Sequence, residues 1–146
     1  MPSPYTKDDA FRWIALADSM RREGSAIHLL IAGARDDAPL GSVGLEIETP
    51  SAPPAQIGYW VAAPARGQGV ATRAVRLLSD WALDRLRLPA VEIQVLPANL
   101  ASQAVARKAG FTLVERRLAL FRTTVEEFEV YVRETTEAAP GSRPAA

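Results

Sequence analysis

The residues best placed to do chemistry lie in one short run, Arg66-Gly67-Gln68-Gly69-Val70-Ala71-Thr72. It follows a strongly apolar stretch, Gln56 to Ala63, and precedes a helical pattern starting at Val70. Gly67 and Gly69 carry no Cβ, so this loop can curl and bring backbone N–H groups together. The helix that follows adds the partial positive charge of its N-terminus. Converging amides plus a helix end make a seat for phosphate or pyrophosphate. Arg66 can add a side-chain donor to the same anion. The loop is neither G-x-G-x-x-G nor G-x-x-x-x-G-K-[ST], so the two commonest nucleotide folds are disfavoured. On its own, such a loop is also compatible with an ordinary strand-to-helix turn.

The elements that must hold this loop can be read from periodicity. Thr6-Lys7-Asp8-Asp9 resembles a capping box, and Phe11, Ile14, Ala17 and Met20 recur at helical spacing, which predicts a helix over Lys7–Arg22 stopped by Gly24. Ala26–Ala32 reads as a strand, and Ser42–Glu48 alternates as a half-buried antiparallel strand. Pro50, Pro53 and Pro54 mark a stiff loop before the strand Gln56–Ala63. Apolar residues at 70, 74, 75, 78, 81 and 82 predict an amphipathic helix to about Leu86, ended by Pro89. Val91–Val95 alternates as a strand, so strand, helix and strand imply a parallel crossover. Asn99–Ala109 reads as a helix with Asn99 as N-cap and Gly110 as its left-handed stop. Phe111–Leu120 and Phe128–Arg133 read as a closing strand pair. The whole is an α/β chain, a mixed, mostly antiparallel sheet with helices on both faces.

Composition sets the outer limits. The chain has 146 residues, enough for one domain with a full core, expected over 1–133 with a disordered tail over 134–146. A formal net charge of zero gives no global field for nucleic acid or an anionic membrane. With no cysteine and one histidine, neither a disulfide, a thiol nucleophile nor a metal site is expected. The N-terminus lacks the basic and apolar regions of a signal peptide, so the cytoplasm is the expected compartment. Arginine far outnumbers lysine and alanine is abundant, which fits a GC-rich bacterial genome.

From Ser42 to Phe111 the chain resembles the GNAT superfamily of acyl-CoA-dependent N-acetyltransferases, and within it the branch that acetylates protein N-terminal α-amines, as in ribosomal proteins. Four segments carry the likeness: Gly41-Ser42-Val43-Gly44, Ile57-Gly58-Tyr59-Trp60, Arg66 to Thr72, and Asn99-Leu100-Ala101-Ser102 leading to Lys108-Ala109-Gly110-Phe111. The third fits the superfamily's [Q/R]-x-x-G-x-[G/A] loop through Arg66, Gly69 and Ala71. The last is similar to the branch's N-x-x-S…GF signature. The resemblance implies a sheet splayed at two parallel central strands, Gln56–Ala63 and Val91–Leu96. Acetyl-CoA would enter there as a cosubstrate, without a metal. Its pantetheine arm would bond to backbone near Val61, Ala62 and Ala63, in the manner of an added strand. Its pyrophosphate would lie over Arg66, Gly67, Gln68, Gly69, Val70, Ala71 and Thr72. The family usually has a further strand and helix ahead of the helix read at Lys7–Arg22, and these are expected to be missing here, which would leave a sheet edge for a homodimer partner to cover.

The resemblance also assigns roles, each with a plainer alternative. Asn99 would bond the pantetheine arm, or serve only as a cap. Ser102 would be the general acid toward the leaving thiolate, or a first-turn serine bonded to Asn99. Arg107 and Lys108 could reach the coenzyme's 3′-phosphate or adenine, or form a solvated last turn. Tyr59 and Trp60 have opposite parities, so one should face the core and one the acceptor cleft, with plain packing the alternative. The branch often has glutamate where Gln56 stands, and glutamine is no base. Glu46 and Glu48 are weak candidates for the base. His28 reads as structural unless its face opens onto the cleft. The implied activity is acetyl transfer from acetyl-CoA to a primary amine by direct attack in a ternary complex. Competing readings are an inactive acyl-CoA-binding sensor or interaction module, and a phosphate-binding α/β protein.

Overall fold

In the computed structural model, residues 6–47 and 54–136 are described. Helix α1 (Lys7–Glu23) is opened by Thr6, whose hydroxyl accepts from the Asp9 N–H while the Asp9 carboxylate accepts from the Thr6 N–H. Gly24 closes it at φ 75°, a left-handed angle that glycine adopts without a Cβ penalty. Strands β1 (Ala26–Ala32), β2 (Pro39–Glu46) and β3 (Ala55–Val61) form an antiparallel meander. A 3-10 turn at Ala63–Ala65 leads to α2 (Val70–Asp84) and then β4 (Ala90–Val95), which runs parallel to β3. Helix α3 (Leu100–Lys108) and the hairpin β5 (Thr112–Phe121) and β6 (Thr124–Glu134) complete the chain, and the strand order is β1-β2-β3-β4-β6-β5.

The mixed sheet expected from periodicity is therefore present, with boundaries moved by tertiary pairing. Strand β2 starts three residues earlier than Ser42, because Gly41 pairs with both Ile31 and Val61. Strand β3 stops at Val61 rather than Ala63, because the chain turns into a 3-10 helix at Ala63–Ala65, around Pro64, just after the Ala62 N–H makes a last in-register bond to the Leu40 carbonyl. Helix α2 ends at Asp84, not Leu86, and Arg87 follows at a positive φ of 57°. Strand β6 continues through Glu134, so the first residue of the expected tail is in the sheet, and 137–146 lie outside the described residues.

The core lies between α2, α3 and one face of the sheet. Val75, Leu78, Ala82 and Leu83 of α2 pack on Val43, Leu45, Ile57, Val91 and Ile93, and Tyr131 of β6 closes the far side against Ala106 and Phe111. Each large aliphatic side chain so buried contributes about 1.5–3 kcal/mol. The apolar stripe of α2 is wider than the sheet beneath it: Leu77 and Trp81 remain exposed along an apolar groove beside β1. On the opposite face α1 covers β1, with Trp13 set edge-on to His28 at 4.9 Å between ring centroids. No residue of α1 is fully buried. None of the described helices is long and apolar enough to cross a membrane.

Candidate active site

The parallel ladder between β3 and β4 has only two rungs, Ala55 opposite Val91 and Gln56 opposite Glu92. Beyond them the strands diverge, as a splayed central pair requires. On the α2 and α3 side the divergence opens into a cavity of about 600 Å³. Its rim is the glycine loop. Gly67 and Gly69 have φ of 75° and 73°, angles that set the loop's N–H groups toward one side, and a Cβ on Gly67 would meet nothing within 4 Å. Gly69 is the N-cap of α2 and no side chain caps that end. The first-turn N–H groups of a helix have no intrahelical partner. This end therefore presents free donors to whatever occupies the cavity.

Three cations surround that loop. Arg66 and Lys108 line the cavity, and the Arg73 guanidinium donates to the Gln68 carbonyl at 3.1 Å. Arg66 is partly committed elsewhere: its Nε donates to the Val61 carbonyl at 3.0 Å, which pins the end of β3 to the loop. Of the expected coenzyme contacts, Val61, Arg66, Gly67, Gly69, Val70, Ala71, Thr72, Asn99 and Ser102 line this cavity, while Ala62, Ala63 and Gln68 do not. Gln68 turns its amide onto the Pro64 carbonyl, 3.1 Å away. Arg107 also points elsewhere: it donates to the Tyr131 hydroxyl and stacks over that ring.

Asn99 caps α3 as its spacing predicts, its Oδ1 accepting from the Ser102 N–H at 3.1 Å, and it still lines the cavity. The cap aims the Ser102 hydroxyl across the gap, where it accepts from the Tyr59 O–H at 2.9 Å. Burial raises the Tyr59 phenol above its ordinary value, and the bond to Ser102 only partly offsets this. The phenol is therefore protonated throughout the neutral range. A protonated phenol bonded to a serine hydroxyl is a two-member donor chain at the cavity wall, a pairing that depends on how α3 docks on β3 and is invisible in the sequence. Trp60, of opposite parity, is half-exposed on the other face.

That other face holds the polar groups. Glu46 is half-exposed, with its carboxylate 3.9 Å from Nε2 of His28. Glu48 lies outside the described residues. The sequence reading did not single out Glu92. It is fully buried, and its Oε1 accepts from Gln56 at 3.3 Å, Gln94 at 3.1 Å and Arg117 at 3.0 Å. Its Oε2 has no partner among the described residues. The alternation Val91-Glu92-Ile93-Gln94-Val95 puts Glu92 and Gln94 on the polar face. Only the β3–β4 register shows that the acid adjoins the fork. Among the described residues no group of three or more metal-ligating side chains could hold an ion.

An open fork between parallel strands, a glycine-rich uncapped helix start beside it and a hydroxyl pair on its wall all fit a nucleotide-tailed thioester in extended form. Known proteins similar to this chain are found both in sequence and in fold. YjcK of Bacillus subtilis, named a probable N-acetyltransferase, is 41% identical over 108 residues, covering 73% of this chain. The chain spans 60% of that relative's length. The microcin C7 self-immunity acetyltransferase MccE, solved with acetyl-CoA and AMP, superposes with a TM-score of 0.80 at 23% identity, over 92% of this chain and 76% of its own. RimL, a ribosomal L7/L12 α-N-protein acetyltransferase solved with coenzyme A, superposes with a TM-score of 0.79 at 22% identity, over 90% of this chain and 74% of its own. The expected family is thus met in sequence, and its fold is shared with a ribosomal-protein acetyltransferase among others. With the acetyltransferase (GNAT) domain profile matching residues 1–112, which include both strands of the fork and the glycine loop, this chain belongs to the GNAT family.

Proposed function

We propose that this protein is an N-acetyltransferase that moves an acetyl group from acetyl-CoA to a primary amine while both are bound. The observation that carries this reading is the two-rung fork opening onto the uncapped start of α2. Acetyl-CoA supplies an activated acetyl thioester. The residues fit it: the free N–H groups of Gly67 to Thr72, with Lys108 and Arg73 nearby, suit a diphosphate. The diverging backbone of β3 near Val61 suits an extended amide arm. Asn99, on the cavity wall, is placed to bond that arm.

Tyr59 and Ser102 then divide one task. The nitrogen of a neutral amine forms a bond to the acetyl carbon, the carbon–sulfur bond breaks, and the sulfur must leave with a proton. Ser102 donates that proton and is resupplied by Tyr59, so the phenol rather than the weakly acidic hydroxyl is the source. This changes the role expected for Ser102 alone into a relay. Glu46 belongs to the opposite, acceptor side, and its part there is taken up below. The acceptor is a primary amine, either a protein N-terminus or a small molecule.

Free-thiol release with acetyl-CoA and a panel of amines tests the reading. Turnover with at least one amine is expected. Coenzyme binding with no thiol release from any amine would instead favour an acyl-CoA-binding module, a reading that Gln56 in place of a carboxylate supports.

A further inference from the structure

On the polar face of the sheet, Gly44 and Gly58 lie directly opposite each other in neighbouring strands, and His28 is in register with Gly44 on the third. Two facing glycines remove side chains from two adjacent positions and leave a bare backbone floor. The consequences differ at the two sites. A Cβ on Gly44 would fall 2.4 Å from Nδ1 of His28, so the imidazole lies across Gly44 and leans toward β3. A Cβ on Gly58 would meet nothing within 4 Å, so the space above Gly58 is open. That space is a cavity of about 150 Å³, walled by the indoles of Trp13 and Trp60, with Ser42 and Glu46 at its edge. A water molecule occupies about 30 Å³, so the cavity has room for roughly five small groups.

We propose, building on the acetyltransferase reading, that this glycine-floored cavity is the acceptor pocket and that His28 takes the proton from the incoming ammonium. Three observations converge. Tyr59 and Trp60 line both this cavity and the coenzyme cavity, so the two meet through one strand. Gly58 is two residues beyond Gln56, where the β3–β4 ladder ends, and an amine over it stands beside the fork. His28 is largely buried, and its Nε2, enclosed in the unliganded fold, has no hydrogen-bond partner among the described residues, so its bonding capacity is unmet until the ring turns toward the pocket.

The groups facing His28 suit that role. From β2, Glu46 stands 3.9 Å from Nε2. From α1, Trp13 contacts the ring, while Asp18 and Arg21 line an adjoining cavity and are paired to each other at 2.9 Å. A primary ammonium between two indoles and a carboxylate is held by cation–π attraction and charge. Once the ring turns toward the pocket, one N–H proton passes to Nε2 of His28 and on through the half-exposed Glu46 carboxylate, 3.9 Å away, to solvent, which frees the nitrogen lone pair. The second nitrogen proton replaces the one that Tyr59 relays through Ser102 to sulfur. Among the described residues no arginine or lysine lines the pocket, so none of them balances a carboxylate next to the amine. The class of acceptor is therefore a primary amine on a slender stem without an adjacent carboxylate, and a free amino acid is rejected beside Glu46.

His28 is the only histidine in the chain, so its ring protons give a single NMR signature. With coenzyme A bound, n-butylamine is expected to shift that signature, while norvaline, the same stem with one carboxylate added, leaves it unmoved at equal concentration. In turnover, butylamine is favoured over norvaline by about tenfold or more in kcat/KM. His28→Gln lowers kcat/KM by about a hundredfold with coenzyme affinity unchanged, an effect typical of a lost general base. Gly58→Ala and Gly58→Val fill the open space, so KM for butylamine rises in that order while coenzyme affinity holds within about twofold, since uniform binding of the acceptor alone is lost. Unchanged ring signals with butylamine, unaltered kinetics in His28→Gln, or norvaline accepted as well as butylamine overturns the proposal. If no amine releases thiol at all, the acetyltransferase reading itself fails.

Discussion

At the scale of single residues, the site depends on side chains whose partners come from distant parts of the chain. Tyr59 is separated from Ser102 by a helix and a strand, yet their oxygens are 2.9 Å apart. Tyr59→Phe is expected to lower kcat by about tenfold or more with coenzyme affinity unchanged, because a relay member is lost and the packing is kept. Pre-steady-state kinetics of thiol release measures this, and an unaltered rate would reduce Tyr59 to packing. The phenol's raised value has a stability corollary. Ionisation is disfavoured in the fold, so the contribution is whole below the ordinary tyrosine value near 10 and is lost as pH rises through the higher folded value. Unfolding midpoints should therefore fall in strongly alkaline buffer, and less so in Tyr59→Phe. Glu92 acts differently. Removing it takes the acceptor from two part-buried amides and one of the two carboxylates from Arg117, which keeps Glu115, so Glu92→Ala should cost about 1–3 kcal/mol in urea unfolding, with Glu92→Gln milder.

At the scale of elements, periodicity was a good guide wherever one face was plainly apolar. The bounds of β1, the capping box of α1 and the Asn99 cap of α3 all follow from local sequence, because the forces involved act within a few residues. Ends set by tertiary pairing were not legible: nothing local says that β2 will begin at Pro39, which pairs with Ala32 of β1. The same limit applies to the site. The glycine loop was readable as an anion seat, but the orientation of Arg66 onto Val61, the Tyr59–Ser102 bond and the burial of Glu92 depend on docking. The importance of His28 depends on Gly44, a pairing known only once the β1–β2 register is known. The loop carries its own prediction. Gly67→Ala places a side chain at φ 75° and should cost about 1 kcal/mol of stability. Its methyl meets no protein atom within 4 Å, so a larger loss of coenzyme affinity in calorimetry would mark the space as the anion's own.

At the scale of the whole molecule, the sheet is two three-stranded halves, β1-β2-β3 and β4-β6-β5, joined by two rungs and by the helices packed across them. Within each half the ladders are long; β4 and β6 alone share six paired positions, Ala90 with Glu134 through Val95 with Glu129. A ligand lying along the fork therefore does more than occupy a cavity. It stands in for absent rungs and couples the halves, and binding to the folded state alone raises the melting temperature by mass action. Without it, the backbone amides of β3 and β4 that face each other past Gln56 and Glu92 have no sheet partner. Deuterium should enter early at those alternate amides within 57–61 and 93–95 that face the fork rather than β2 or β6, and coenzyme A should slow its entry while leaving the β5–β6 hairpin as it was. The narrow bridge between the halves thus predicts a sheet that stiffens along its seam when a ligand fills the fork.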